Sequence, residues 1–218
     1  MTYDIIRKDP VINTYIAHAD ATLEVLGYTE HSYAHVTKVA HTAGQLLETL
    51  NYPQRTVELA KIAGYMHDIG NVVNRSDHSQ SGAVMAFRLL DKMGFDADEI
   101  AVIVSAIGNH DEGTGVPVSA VAAALILADK SDVRRSRVRS KQTETFDIHD
   151  RVNYSVTESS LRINAEQTQV LLTLTVDTEF SPVMDYFEIF MGRMSLCRQA
   201  AKALGLEFKL MINQQTML

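Results

Sequence analysis

The stretch GYMHDIGN, Gly64 to Asn71, places a histidine and an aspartate side by side at the end of a run of helix-forming residues. Gly70 follows within two residues and allows the chain to turn. Titratable groups on an otherwise apolar helix are costly to bury unless they are paired, hydrogen-bonded or bound to a metal ion. His67 and Asp68 are therefore candidates for a functional site.

The composition argues against several classes of protein. The chain has 218 residues, of which 46% are hydrophobic, and this suits one sizeable core or two small ones. Its net charge of −7 argues against a general nucleic-acid binder, because a phosphate backbone requires a broad basic face. The single cysteine, Cys197, can build neither a disulfide framework nor a thiolate zinc cluster. No apolar run reaches the roughly 18 residues of a membrane-spanning helix, so we expect a cytoplasmic protein without a membrane partner.

From Asp9 to about Arg139 the sequence predicts one helix after another. Asp9 can cap the first helix, Pro10 can occupy its first position, and Gly27 ends it. The second helix is indicated by apolar residues at helical spacing in HSYAHVTKVAHTAGQLLETL. Four more are predicted over residues 54–68, 77–94, 96–108 and 117–132.

The pattern changes after about residue 140. Residues 159–177 alternate between apolar and polar types, which predicts a β-hairpin with its turn near residues 165–168. Ser181 and Pro182 begin a long helix, and the segment EFKLMIN alternates again. We therefore expect a mainly α protein with a helical domain, residues 1–141, and a small α+β (β-β-α-β) unit, residues 142–218. In that unit the helix would cover a three-stranded antiparallel sheet.

Asp129 raises the same question as the His-Asp pair, because it ends the apolar segment LILAD. A buried carboxylate needs a partner, and either Lys61 or Arg88 could supply one. A divalent cation shared with histidines is the other possibility. The histidines at the ends of predicted helices are His35, His67, His78 and His110.

The order of these residues resembles that of the HD superfamily of metal-dependent phosphohydrolases. The motifs are HVTKVA at His35, HDIG at His67, HSQSGA at His78, GNHDEGTG at His110 and LADKSDVRR at Asp129. Within the superfamily, the pattern is most similar to the dinuclear group that cleaves diadenosine tetraphosphate. The resemblance implies a helical HD domain and covers residues 31–135.

The resemblance also implies a metal site with one or two divalent ions. One ion would be held by His35, His67, Asp68 and Asp129, and a second by His78 and His110, with Asp68 as the bridge. Ligands without sulfur favour Fe, Mn, Co, Ni or Zn, and Mg is possible for a single ion. Two ions would activate a water and stabilise the attacking and leaving oxygens of an in-line displacement at phosphorus.

Phosphate binding also requires cations, and the basic segment DKSDVRRSRVRSK begins at Asp129. Lys130 is the expected catalytic cation, and Arg134 or Arg135 the expected substrate contact, because they lie within about a turn of Asp129. The other cations of the segment are interpreted as a solvated helix end: Arg137, Arg139 and Lys141.

Two more positions bear on the substrate. His31 lies one turn before His35 and could face the substrate, or it could be an exposed or supporting histidine. Asn71 stands where many members of the superfamily carry lysine, which leaves one phosphate contact without a residue. Asp68 is expected to orient or deprotonate the attacking water.

These residues predict a metal-dependent phosphohydrolase. Its substrate would be a small phosphorylated molecule, a nucleotide in our interpretation, whose ester or anhydride bond is cleaved by a metal-activated water. The alternative is a non-catalytic HD module that senses or binds a nucleotide, with the C-terminal unit mediating contact with a partner or a homodimer.

Overall fold

The computed structural model describes residues 1–140 and 142–217, so Lys141 lies outside the described residues. The helical part contains α1 (Tyr3–Ile6), α2 (Pro10–Val25), α3 (Tyr33–Thr49), α4 (Gln54–Met66), α5 (His78–Lys92), α6 (Ala97–Gly108) and α7 (Ala120–Lys130). The C-terminal part contains α8 (Ile148–Ser155), β1 (Val156–Ile163), β2 (Gln169–Val176), α9 (Val183–Ala203), β3 (Glu207–Ile212) and β4 (Gln215–Thr216). Short 3₁₀ helices cover Ile69–Val72, Arg135–Arg137 and Thr143–Thr145. The mainly α fold with a small α+β unit is confirmed.

Local signals explain where the helices begin. The carboxylate of Asp9 accepts hydrogen bonds from the backbone N–H groups of Val11 and Ile12, both at 2.9 Å, and caps α2 as predicted. Helix α7 begins at Ala120 and not near Pro117. The reason is that the hydroxyl of Ser119 accepts a hydrogen bond from the N–H of Ala122 and so acts as the cap.

Helix α7 lies at the centre of the helical part. It packs against α3, α4, α6 and α9. Each of residues 121–128 is at most 2% exposed, so the helix is buried on all sides until it reaches Asp129. Burial of this kind contributes roughly 25 cal/mol per Å² of apolar surface, and it fixes the direction in which the end of α7 points.

The sheet has the order β1-β2-β3-β4, so it contains four strands where three were predicted, and the direction of one strand also differs from the prediction. The β1–β2 hairpin is antiparallel as expected, with Ser160 opposite Thr173. Strand β3, however, is parallel to β2, with Leu172 opposite Leu210. The expected three-stranded antiparallel sheet is therefore wrong. Helix α9 crosses over between the two strands, and a crossover connection places the following strand parallel to the first.

Helix α9 connects the sheet to the helical part. It packs on α7 as well as on β2 and β3, and one apolar core runs through both parts of the chain. Met194 and Cys197 are buried in that core, whereas Met184 and Met191 are exposed. The division into two domains at residue 141 stays a prediction. Within the described residues, none of the helices has the length and apolarity needed to cross a membrane.

Candidate metal centre

Six side chains meet beneath the end of α7, and each lies at or next to the start or the end of one of five helices. His35 lies in the first turn of α3, His67 and Asp68 follow the last residue of α4, His78 begins α5, His110 follows α6, and Asp129 lies in the last turn of α7. All four histidines and Asp68 are buried, and the side chain of Asp129 is 12% exposed. The structure therefore brings together every residue that was predicted to bind metal.

Two glycines allow these elements to approach. A Cβ atom at Gly64 would lie 2.8 Å from the Cα of Ala40, so α3 and α4 cross with their backbones almost in contact. A Cβ atom at Gly70 would lie 2.0 Å from the carbonyl oxygen of His78, so the turn after α4 lies directly against the start of α5. These close approaches bring His67 near His35 on one side and near His78 on the other.

The first group of ligand atoms lies around one oxygen of Asp68. Nε2 of His67 is 3.1 Å from Asp68 Oδ2, and Nε2 of His35 is 3.6 Å from the same atom. Oδ1 of Asp129 lies 3.3 Å from Nε2 of His35 and 3.6 Å from Nε2 of His67. Ligands about 2.1 Å from a common ion are separated by about 3.0–3.4 Å, so the spacing suits a single cation.

The second group lies around the other oxygen of Asp68. Nε2 of His78 is 3.5 Å from Asp68 Oδ1 and 3.2 Å from Nε2 of His110. Ligand atoms of His67, Asp68 and His110 also lie within 4.8 Å of one another. The two carboxylate oxygens of Asp68 thus face different sets of histidines, which is the arrangement that a bridging ligand requires.

The four histidine rings are all held in the same way. Each Nδ1 lies within hydrogen-bonding distance of an acceptor: Asp132 Oδ2 at 2.8 Å for His35, the carbonyl of Gly64 at 2.8 Å for His67, that of Arg75 at 3.1 Å for His78 and that of Ile107 at 2.6 Å for His110. A ring that donates from Nδ1 presents the lone pair of Nε2 to the centre. Nε2 of His35 and Nε2 of His67 are buried and, among the described residues, have no hydrogen-bond partner. These unsatisfied atoms fit a divalent metal ion.

The charges of the centre favour a bound cation. Burial alone would raise the pKa values of Asp68 and Asp129, but neighbouring positive charges and hydrogen bonds hold both well below their ordinary value. Burial disfavours the charged form of His67, yet the charges and close contacts of Asp68 and Asp129 together outweigh this effect and raise the pKa of His67 to about 10. Burial lowers the pKa of His110, which keeps that ring neutral. The ionised carboxylates therefore retain a positive charge beside them, as a proton or as a metal ion.

Asp132 is a supporting residue that the sequence interpretation missed. Its fully buried carboxylate accepts from Nδ1 of His35, and it also binds Lys38 Nζ at 2.7 Å and Arg134 Nε at 2.9 Å. The available signal was an aspartate three residues after Asp129. It was overlooked because it lies within a basic segment.

Asn71 also has a definite role. Its Nδ2 donates to Oδ1 and to the backbone carbonyl of Asp68, both at 2.9 Å. Its own Oδ1 lies 3.3 Å from NH1 of Arg75. The residue that replaces lysine therefore fixes Asp68 and links it to an arginine one turn farther along the chain.

The predicted cations are distributed differently from the expectation. Nζ of Lys130 lies 2.9 Å from Asp129 Oδ2 and 2.5 Å from Glu112 Oε2, so Lys130 is the cationic partner of Asp129. Neither proposed alternative contacts that carboxylate: Lys61 pairs with Glu58 at 3.8 Å, and Arg88 is exposed.

Arg134 and Arg135 do not face the metal centre. Arg134 binds Asp132 on the side away from the ion site, and Arg135 donates to the carbonyl of Tyr154 at 2.5 Å and stacks over its ring. Both line a separate depression beside β1. Neither lines the cavity beside the histidines, because α7 ends at Lys130 and Arg134 is extended, so helical spacing no longer applies. That either contacts substrate stays a prediction.

A cavity of about 420 Å³ opens beside the histidines, and His31 lines it as the substrate prediction requires. The ring of His31 lies 5.3 Å from that of His35. Three arginines share the cavity wall: Arg75, Arg137 and Arg193. The remaining polar lining comes from Tyr28, Glu112 and the α8 residues Asp147, His149, Asp150 and Asn153.

The interpretation of Arg137 and Arg139 as a solvated helix end is wrong. Arg137 is 4% exposed and donates to the backbone carbonyls of Glu30 and Asp132, both at 2.8 Å. Arg139 forms an ion pair with Asp20. The segment after α7 folds back over the start of α3, which buries these side chains.

A model of the HD domain matches residues 32–152, which is more than half of the chain. The chain belongs to the HD domain family. This HD protein is 25% identical over 172 residues to the uncharacterized protein MJ1020 of Methanocaldococcus jannaschii, a match that covers 68% of the chain and 66% of that protein. It is 29% identical over 119 residues to ribonuclease Y of Bacillus pumilus and 35% identical over 121 residues to ribonuclease Y of Pelobacter propionicus, in each case over 55% of the chain and 21% of the relative.

Among solved structures, a predicted HD superfamily hydrolase from an uncultured Thermotogales bacterium has a TM-score of 0.46 and 24% identity, covering 60% of the chain and 73% of that protein. The HD superfamily prediction is confirmed by the family match. Membership of the family together with the His/Asp cluster supports a metal-dependent phosphohydrolase in general, with a divalent metal at the cluster. The likeness to the group that cleaves diadenosine tetraphosphate stays a prediction.

Proposed function

We propose that this HD protein hydrolyses a phosphate ester or anhydride of a nucleotide, with two divalent transition-metal ions held by the six-residue centre. The observation that carries the proposal is the shared orientation of the four histidine rings. Each Nδ1 is engaged by an acceptor. The Nε2 atoms of His35, His67 and His78 lie 3.1–3.6 Å from oxygens of Asp68 or Asp129, and that of His110 lies 3.2 Å from Nε2 of His78. A structural cluster of satisfied histidines would not leave two buried Nε2 atoms without partners.

The chemistry that bound ions supply is a lowered pKa of a water and the polarisation of a phosphoryl oxygen. The chain itself holds the reacting groups in place. Asp68 is fixed by Nδ2 of Asn71 and is the group we assign to orient the water and accept its proton. His31, at the cavity wall, is assigned to contact the phosphoryl group.

Lys130 acts in this proposal through Asp129. It is buried, and its charge is one of the causes that hold the pKa of Asp129 well below the ordinary value. Asp129 thus stays ionised as a ligand. Because Glu112 also binds Nζ of Lys130, we assign Lys130 to positioning and to the positive potential of the site, and not to direct transfer of a proton.

RNA is a second candidate substrate. It is favoured by the 35% identity to ribonuclease Y of Pelobacter propionicus over 121 residues. The net charge of −7 argues against it, because binding to a polynucleotide backbone depends strongly on basic surface. A short oligoribonucleotide therefore belongs among the test substrates.

The test is turnover by protein loaded with Mn²⁺ or Fe²⁺, with p-nitrophenyl phosphate, nucleoside diphosphates, diadenosine tetraphosphate and a short oligoribonucleotide as substrates. We expect release of phosphate or nucleotide by the wild type and a loss of at least about 100-fold for Asp68→Asn. His41→Ala is the matched control, because His41 is an exposed histidine that packs on Tyr3. Full metal loading without turnover of any substrate would reject the hydrolase and favour the sensing module.

A further inference from the structure

We propose that Arg75, Arg137 and Arg193 form a subsite for a second phosphoryl group of the substrate, beside the metal centre, and that α9 thereby completes the active site. The inference rests on the proposed function and narrows its substrate to a nucleotide with more than one phosphoryl group. Its three residues come from different parts of the chain and line one cavity of about 420 Å³.

Arg137 provides the strongest observation. Its Nε and NH1 donate to the backbone carbonyls of Glu30 and Asp132, which are neutral acceptors. Its NH2 is buried and has no partner, and no described carboxylate forms an ion pair with this guanidinium. Asp132, Asp129 and Glu30 attract this charge only from beyond ion-pair distance. A buried charge without a close opposite charge is costly, and an anion in the cavity that Arg137 lines would supply one.

Arg193 brings the C-terminal unit into the site. It projects from α9, its Nε donates to Oε1 of Glu112 at 2.9 Å, and its guanidinium stacks over the ring of Phe190. The side chain is 23% exposed and lines the same cavity as Arg137. Glu112 also binds Lys130, whose other close partner is Asp129, so Arg193 shares the carboxylate of Glu112 with a second cation.

Arg75 connects the cavity to the metal centre. Its NH1 lies 3.4 Å from Nε2 of His78 and 3.3 Å from Oδ1 of Asn71. Its guanidinium also lies over the ring of Tyr28, with 5.5 Å between the carbon and the ring centroid. A phosphate chain that passes from the histidines into the cavity would meet Arg75 first. Arg75 thus supplies the positive charge that a lysine at position 71 would provide and that Asn71 lacks.

The acidic residues of the cavity indicate how a bound ligand would be oriented. Apart from Glu112, they are Asp147, which is the N-cap of α8, and Asp150, which lies in the first turn of that helix. Asp147 is exposed, and its carboxylate accepts from the N–H of Asp150 at 2.7 Å. Near the metal centre Arg137 is buried and Arg75 and Arg193 are half-buried, whereas Asp147 is exposed at the solvent side. We infer that the phosphoryl groups point inward and the sugar and base point to the rim.

The size of the cavity supports a small ligand. Its volume of about 420 Å³ lies within the range of roughly 300–1,000 Å³ that is typical of small-molecule sites. Guanidinium groups bind phosphate oxygens in pairs through their planar geometry. A nucleoside diphosphate or a dinucleoside polyphosphate has the chemistry that such a site would recognise.

The experiment compares inorganic pyrophosphate with inorganic phosphate by calorimetric titration of the metal-loaded protein. We expect pyrophosphate to bind at least about 10-fold more tightly, because loss of a hydrogen bond to a charged group typically costs about 10- to 100-fold. Arg193→Gln and Arg75→Gln should remove this preference. Arg198→Gln, an exposed arginine of the same helix, should retain it. Arg137→Lys keeps the buried charge and is the variant for that position, since a neutral side chain there could prevent folding.

Kinetics separate the failure of this inference from failure of the proposed function. The arginine variants should lower kcat/KM for ADP about 10- to 100-fold more than they lower kcat/KM for p-nitrophenyl phosphate. Equal affinity of the wild type for phosphate and pyrophosphate, or equal losses on both substrates, would overturn the subsite. Arginine-dependent binding of a trinucleotide RNA without a preference for pyrophosphate would likewise overturn the assignment to a polyphosphate chain. A metal-loaded wild type that turns over none of the test substrates would reject the hydrolase, while the binding comparison would still decide the subsite.

Discussion

At the scale of single residues, the function of the centre depends on atoms that face away from the metal. Nδ1 of His35 is oriented by Asp132, whose carboxylate is in turn held by Lys38 and Arg134. Burial would raise the pKa of Asp132, but its hydrogen bond with His35 and the nearby positive charges hold that pKa well below its ordinary value. The carboxylate therefore stays ionised and continues to orient the ring at any pH near neutrality.

Asp132→Asn should weaken metal binding by about 10- to 100-fold, as is typical when the partner of a metal-ligating histidine is removed. The amide can present its NH2 group to Nδ1 and so favour the wrong tautomer of His35. Metal affinity can be measured by competition with a chromophoric chelator. Lys38→Gln is the control, because it removes a contact of Asp132 and leaves the bond to His35. Equal affinities of wild type and Asp132→Asn would contradict the assigned role.

His110→Ala should reduce the metal content from nearly two ions per chain to nearly one. His110 contributes to the group around Oδ1 of Asp68, whereas His35 and Asp129 lie with Oδ2. Elemental analysis of protein purified without chelator would measure the change, with His41→Ala as the control. Substoichiometric metal that the substitution leaves unaltered would argue against a dinuclear centre.

At the scale of elements, the sequence predicted the features that depend on local chemistry, such as where helices lie. It missed the features that depend on how elements are directed in the tertiary structure, such as the direction of a strand. Caps such as Asp9 and the periodic apolar residues of α3 located the helices, and the motif order identified the six side chains that lie together beneath the end of α7. The parallel pairing of β3 could not be read from its alternating residues, because strand direction is set by the path of α9. Arg135 and Arg137 occupy places opposite to those predicted, Arg135 beside β1 and Arg137 at the cavity wall. The prediction assumed helical spacing beyond Lys130, where α7 ends.

Gly64→Ala should destabilise the fold by about 1–3 kcal/mol, the usual cost of overpacking a close contact. The added Cβ would meet backbone atoms of Ala40 at 2.8 and 2.9 Å, so α3 and α4 would have to separate. Gly192→Ala is a matched control on α9, where a Cβ meets nothing within 4 Å. It should be neutral or stabilising by up to about 1 kcal/mol. Urea unfolding measures both, and equal stabilities of the two variants would refute the close approach.

At the scale of the whole molecule, Glu112 joins three helices that are distant in sequence. It follows α6 and binds Lys130 of α7 and Arg193 of α9. Burial would raise its pKa, but the positive charges of Lys130 and Arg193 prevail and lower it to about 2. The C-terminal unit is thus fastened to the helical part by charge as well as by the apolar core.

The stability of the wild type should therefore fall in acid more steeply than that of Glu112→Gln. A carboxyl whose folded-state pKa is depressed stabilises the fold above its ordinary pKa of 4.5, and this contribution is lost as the pH falls towards about 2. The amide cannot titrate, so the difference in unfolding temperature between wild type and variant should shrink from pH 5 to pH 2.5. A difference that is constant over this range would contradict the shifted pKa.

The long sequence separation within the centre has a consequence for biosynthesis. The contact between His35 and Asp132 joins residues 97 positions apart, and that between Glu112 and Arg193 joins residues 81 apart. A chain emerging from the ribosome cannot orient His35 until residue 132 is outside the exit tunnel, and it cannot finish the cavity wall until α9 has followed. Because contacts of this separation form late, the nascent chain exposes unassembled histidines and carboxylates for most of its synthesis. We therefore expect a metal ion to be held at the proposed centre only after residue 132 has left the exit tunnel.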